Sequence, residues 1–451
     1  MPESEPSPMP GARVANAAMP LVIAGGDIFD RSGRRRADVV VRDGRIETIE
    51  TPSEPDAAAR VIDATGCVVT SGFVDLFARL GEPGNEEAET IATGSAAAAL
   101  GGFTAVVAQP DTDPPLDRLG ELAELRRNAA AARCHIVPAA TISAERAGTR
   151  LSPMAELADA GVAWFTDVGP LGDAGLLRRA LQYVGPLGGT VSVRPSTSNL
   201  GGDAAMAEGA VSARMGVAGE PSASEELAAA TAIGVARLTR GRLHLDRISA
   251  ARTVKLVRAA KADGLNITAS VTAEHLFFID ADADTYDPLM RAEPPYRTAA
   301  DREALVAGVV DRTIDAVVSG HCPVPPQAKD LPFDEAPPGI AALETCAALV
   351  LGHPDISLDA ALDALAWRPA ELARATHLGG AAVAPDSPAN LVVLDLDRPW
   401  TLRERGSASM ARNTPHRDRP MSAIVRATVL EGREIVVDGE LCPAAENGIR
   451  P

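Results

Sequence analysis

Three arginines stand at positions where this chain could do chemistry. They are Arg79 in Asp75-Leu76-Phe77-Ala78-Arg79, Arg194 in Val191-Ser192-Val193-Arg194-Pro195, and Arg247 in His244-Leu245-Asp246-Arg247-Ile248. A guanidinium stays protonated and has no lone pair to give, so it cannot ligate a metal; it suits a carboxylate or a phosphate. The seven histidines (His135, His244, His275, His321, His353, His377, His416) form neither a His-x-His nor a His-Glu-x-x-His set. His321, next to Gly320, is the one expected to line a pocket shared with the arginines, in a structural role. The five cysteines (Cys67, Cys134, Cys322, Cys346, Cys442) contain no Cys-x-x-Cys pair. They suggest neither a zinc knuckle nor a disulfide framework, and a reducing cytoplasm is the simplest reading.

The elements that must position these residues alternate along the middle of the chain. Apolar, β-branched runs occur at Phe73–Phe77, Thr104–Ala108, His135–Pro138, Val162–Phe165, Thr190–Val193, Arg242–Leu245, Asn266–Val271 and Asp315–Val318. Between them lie helix-like segments such as Thr90–Leu100, Leu116–Ala132, Glu225–Arg237, Ala251–Asp263 and Asp301–Val310. Eight strand–helix repeats predict an α/β fold, a (β/α)8 TIM-like barrel. In such a barrel, chemistry sits just beyond the C-terminal ends of the strands. Arg79, Arg194 and Arg247 each follow a predicted strand.

The ends read differently. Leu21-Val22-Ile23, Val39-Val40-Val41, Val61-Ile62 and Val68-Val69 are short strand signals separated by Gly-containing turns. Leu391–Asp395 and Ile424–Leu430 repeat the pattern near the C-terminus. The expected organisation is a disordered tail over 1–18, a composite β-sandwich domain from 19–72 and 376–451, and the barrel over 73–375. A formal net charge of −18 argues against nucleic-acid and anionic-membrane partners, because phosphate binding needs a basic surface. No apolar run is long enough to span a bilayer.

Around the strand ends the chain resembles the dihydroorotases of the amidohydrolase superfamily. The resemblance begins in Asp75–Gly84 and continues through Gly101-Gly102-Phe103-Thr104, Pro110-Asp111-Thr112-Asp113-Pro114 and Gly209–Arg214. It then runs through Glu293-Pro294-Pro295-Tyr296-Arg297, Pro337-Pro338-Gly339-Ile340 and Asn413-Thr414-Pro415. Active members of the family imply one or two zinc ions held by a His-x-His pair, a fourth-strand carboxylate, single histidines after strands five and six, and an eighth-strand Asp that also shuttles the proton.

Against that pattern the His-x-His pair becomes Phe77 and Arg79, the later histidines become Arg194 and Arg247, and the eighth-strand Asp becomes Gly320. Asp75 and Asp167 persist. Family donors to the substrate carboxylate fall at Gly81, Asp111 and Val324, so that anchor is altered as well. The expectation is that Arg79, Arg194 and Arg247 replace the missing metal charge and pair with Asp75 and Asp167. They would then form either a buried ion-pair plug or an anion-binding pocket.

The resemblance therefore implies no catalytic residue, no metal ligand and no cofactor. It implies a catalytically inactive, cytoplasmic structural subunit, a homodimer and a partner of the aspartate carbamoyltransferase catalytic subunit in pyrimidine biosynthesis. The alternatives are an active dihydroorotase or related cyclic amidohydrolase with an atypical site, and a small-anion-binding regulatory barrel using the Arg cluster.

Overall fold

The computed structural model describes residues 19–53, 59–170, 172–201 and 204–443. The tail expected over 1–18 lies outside them. Eight parallel strands in sequence order form the central sheet: Phe73–Ala78, Phe103–Ala108, His135–Ala140, Trp164–Thr166, Thr190–Val193, Leu243–Leu245, Ile267–Thr272 and Ala316–Val318. Each is within a few residues of its expected run. A parallel bridge between Ala78 and His321 joins the two ends of the sheet, with the Arg79 amide donating to the His321 carbonyl at 3.0 Å. The sheet is thereby a nearly closed barrel.

Most of the strands form where they do because their residues are buried on both faces, His135–Ala140 being half-buried over its first four residues. Phe73–Ala78 and Phe103–Ala108 are buried at every position, as parallel strands covered by helices require. The helix Ala174–Val184 buries Leu177, Ala180, Leu181 and Val184 at helical spacing and leaves Arg178 and Arg179 to solvent. Asp173 caps its first turn by accepting from the Gly175 amide. The segment expected as a helix over Leu116–Ala132 is shorter, Leu119–Asn128. Pro114 and Pro115 delay its start, and a single 3-10 turn over Ala129–Ala131 closes it.

Both chain ends meet in one nine-stranded sheet. Val68–Ser71 pairs antiparallel with Leu391–Asp395, which welds the N-terminal strands to the C-terminal ones. Leu21, Ile23, Val39, Ile46, Val69, Leu391, Val393 and Val429 share one core, so strands from both halves of the sheet pack on common ground. This sheet flanks the barrel and leaves its C-terminal mouth to the loops.

Candidate active site at the barrel mouth

Arg247 follows the sixth strand, with the rare positive φ of +49°. That turn sends its side chain inward, where the guanidinium lies over the Phe77 ring, Cζ 3.8 Å from the ring centroid. Its Nε donates to Asp246 Oδ2 at 2.7 Å, Nη1 to the Glu293 carbonyl at 3.2 Å, and Nη2 to the Val168 carbonyl at 3.3 Å. Every arm of this buried cation is engaged. Arg79 donates through Nε to Asp111 Oδ2 at 2.7 Å and through Nη1 to Cys322 Sγ. Arg194 Nη2 reaches Glu293 Oε1 at 3.2 Å, while its Nε is buried with no hydrogen-bond partner.

Glu293 ties the three together. Burial raises its carboxyl, but the nearby Arg194, Arg247 and Arg79 outweigh that and hold it below the usual carboxylate range. It is therefore ionised at neutral pH, with about a third of its side chain open to solvent.

The expected pairing with Asp75 and Asp167 is not what forms. Asp75 accepts from the Ser319 amide at 3.0 Å, the Phe77 amide at 3.2 Å and the Ser319 hydroxyl. Complete burial pushes its carboxyl up to about 6 despite those bonds. Asp167 accepts from the Ile142 and Ser143 amides at 2.8 and 3.0 Å and from Ser143 Oγ at 2.6 Å; burial raises it too. Both carboxylates are satisfied by neutral donors, mostly from neighbouring strand ends, Ser319 for Asp75 and Ile142 and Ser143 for Asp167. The arginines took the acids that the neighbouring turns supply: Asp111, Asp246 and Glu293.

His321 also differs from expectation. Its Nδ1 accepts from the Ala342 amide at 3.1 Å, and its Nε2 lies 3.4 Å from Glu89 Oε2, so it points away from the arginines. His244 is clasped by Thr268 and Ser270, and burial pushes it down to about 4. His275 is clasped by Thr272 and the Pro294 carbonyl, and burial likewise pushes it to about 4. Both are neutral structural rings.

The positions that would hold the family's substrate carboxylate are closed. Gly81 has φ +75°, and a Cβ there would lie 2.0 Å from the Glu89 carbonyl oxygen. Asp111 is occupied by Arg79. Val324 is buried, its amide donating to Asn413 Oδ1 at 3.3 Å.

Nor do the residues fit a metal. Phe77 offers no donor atom, and Arg79, Arg194 and Arg247 offer only positive charge. At Gly320 a Cβ would meet Thr272 Cγ2 at 2.7 Å. Among the described residues no group of three His, Cys, Asp or Glu could hold a metal ion. What remains at the centre is a cavity of about 20 Å³, bordered by Arg247, Glu274, Glu293, Gly320 and Cys322. That is room for one water molecule.

Sequence reasoning missed Glu293, Asp246 and Cys322 as parts of this site. Glu293 had a signal, since it opens the Glu293-Pro294-Pro295 motif. Cys322 follows His321 directly and carried none.

Comparison with known proteins bears on the whole chain. The family model described as dihydro-orotase-like matches residues 66–252. A dihydroorotase of Anaeromyxobacter dehalogenans (strain 2CP-C) is 37% identical over 93% of this chain and 98% of its own length. A dihydroorotase of Mycobacterium tuberculosis is 37% identical over 90% of this chain and 96% of its own. In fold, the L-hydantoinase (dihydropyrimidinase) of Arthrobacter aurescens superposes with a TM-score of 0.85 at 21% identity, covering 94% of this chain and 97% of that one. The expectation of an inactive structural subunit is corrected by these relatives: chains matching this one almost end to end are named dihydroorotases.

Proposed function

The chain belongs to the dihydroorotase-like family of the amidohydrolase superfamily, and from that membership we propose that it is a cyclic-amide hydrolase of the dihydroorotase type, working through an atypical site. The observation that carries the proposal is the 37% identity to a dihydroorotase over 93% of this chain and 98% of that one.

The chemistry available at the mouth is that of guanidinium groups and one ionised carboxylate. As water adds to the ring amide carbonyl, the oxygen turns anionic, and Arg79, Arg194 and Arg247 supply the fixed positive charge that stabilises it. Glu293, ionised and partly exposed, accepts the proton that the attacking water gives up. The carbon–nitrogen bond then breaks, and the ring nitrogen takes the proton back. No step is assigned to a metal, because the residues at the family's ligand positions do not fit one. The test is incubation of the purified protein with dihydroorotate while ring opening is followed. Turnover that falls in Glu293→Gln is expected; an intact substrate would overturn the proposal.

A second reading, a barrel that binds a small anion without turning it over, is favoured by the convergence of Arg79, Arg194 and Arg247 at the barrel mouth. Ligand-induced thermal stabilisation without turnover is its signature. The resemblance further supports a homodimer, a cytoplasmic location, and association with the aspartate carbamoyltransferase catalytic subunit. Co-elution of the two purified proteins tests that association.

A further inference from the structure

Two carboxyls border the cavity at the mouth, and their surroundings push them in opposite directions. Glu274 lies in the 3-10 turn Ala273–Leu276, directly after the seventh strand, and Glu293 follows in the same connection. Glu293 stands among three guanidiniums with about a third of its side chain open to solvent, and is ionised. Glu274 has only 3% of its side chain accessible. The one base within ion-pair range of it among the described residues is His416, Nε2 to Oε1 3.8 Å, and burial keeps that ring neutral. Asp75, Tyr296 and Cys346 also surround it, and none of them brings positive charge. Enclosure without a compensating cation favours the protonated acid, and this carboxyl is pushed up to about 8.

Its bonding sets it apart from the other buried acids at the strand ends. Asp75 and Asp167 are each held by backbone amides and a serine hydroxyl. Glu274 has no such clasp, and its Oε1 is enclosed without a hydrogen-bond partner. A buried polar group left in that state asks for a reason other than packing. Two carboxyls on one cavity, one kept charged and one kept neutral, are the arrangement that separates a base from an acid.

We infer that Glu274 is the proton donor to the ring nitrogen, so that Glu293 and Glu274 divide the base and acid work of the mouth between them. This rests on the hydrolase reading for the reaction itself. Water adds to the ring carbonyl carbon, the new carbon–oxygen bond forms, and Glu293 takes the proton that the water gives up. The carbon–nitrogen bond then breaks as Glu274 passes its proton to the nitrogen, which leaves neutral rather than as an anion. The proton on Glu293 returns to Glu274 through the cavity they share, whose volume of about 20 Å³ holds one water. Both carboxyls are then as they started. A single carboxyl would have to swing from the attacking oxygen to the ring nitrogen; two serve both ends in place.

The experiment is the pH profile of kcat/KM for opening of L-dihydroorotate by wild type, Glu274→Gln and Glu274→Asp. Wild type is expected to lose activity as pH rises through the region near 8, where the acid ionises. Glu274→Gln is expected to lower kcat by about 10²-fold at neutral pH and to abolish that fall, while Glu274→Asp keeps it. A role in packing alone would not move the limb. Infrared difference spectra supply a readout apart from activity: a protonated-carboxyl band present in wild type at pH 7 and missing from Glu274→Gln. Circular dichroism verifies that both variants fold. A falling limb retained in Glu274→Gln, or no such band at pH 7, would overturn the inference while leaving hydrolysis in place. A wild type that does not open the ring would overturn the hydrolase reading, and the inference with it.

Discussion

The Arg247 guanidinium stacks on the Phe77 ring, with 3.8 Å from its Cζ to the ring centroid. The resemblance aligns these two residues with metal-binding histidines of the family, and here they bind each other. The contact joins a cation to an aromatic face inside the barrel, an arrangement worth about 2 kcal/mol when desolvated. It explains how a site without metal-compatible residues stays packed: the cation that replaces a ligand also covers the apolar residue that replaces another.

Arg247 should therefore be a keystone of stability. Arg247→Ala removes one partner of a buried pair and strands Asp246, which predicts a loss of about 3–5 kcal/mol. Urea denaturation measures it. A loss below about 1 kcal/mol would show that Asp246 finds other donors, and that the stack contributes little.

Glu274 makes a pH prediction. Burial pushes this carboxyl up to about 8, and His416, 3.8 Å away, is pushed down to about 3, so both are neutral at pH 7. A carboxyl whose folded value is raised contributes stability at low pH and loses it as pH climbs from about 4.5 to about 8. Glu274→Gln should thus match wild type near pH 4 and exceed it near pH 9. Denaturation midpoints at the two pH values give the comparison, and a constant offset would refute the neutral assignment.

Much of this was legible in the sequence, and the part that was not has a physical cause. Parallel strands covered by helices write themselves as apolar, β-branched runs, so the barrel could be read strand by strand, to within a few residues at the ends. The mouth could not. Which acid pairs with Arg194 depends on how the loop after the seventh strand folds back, and Glu293 lies 99 residues from it in the chain. The resemblance points to Asp75 and Asp167 as partners, but Ser319 and Ser143, brought alongside by the barrel, hold them instead. The backbone turn at Arg247, with its positive φ, decided where that side chain points, and no single-sequence pattern announces such a turn.

Gly81 should resist restoration of the family residue. Its φ of +75° and the Glu89 carbonyl 2.0 Å from any Cβ predict that Gly81→Ala costs at least about 2 kcal/mol, and Gly81→Arg no less. Thermal unfolding of the two variants checks it; wild-type stability in Gly81→Arg would mean the loop 81–89 can move aside.

Glu293→Gln should act on kcat. Losing the proton acceptor lowers kcat by about 10²-fold or more. Steady-state kinetics measure it, and an unchanged kcat would remove Glu293 from the chemistry.

The most direct test of the central claim is the dihydroorotase assay on protein stripped with a chelator and analysed for zinc. Ring opening that persists without stoichiometric zinc, and disappears in Arg194→Gln, is the predicted result. Dihydroorotate left intact, or turnover that returns only with added zinc, would contradict it.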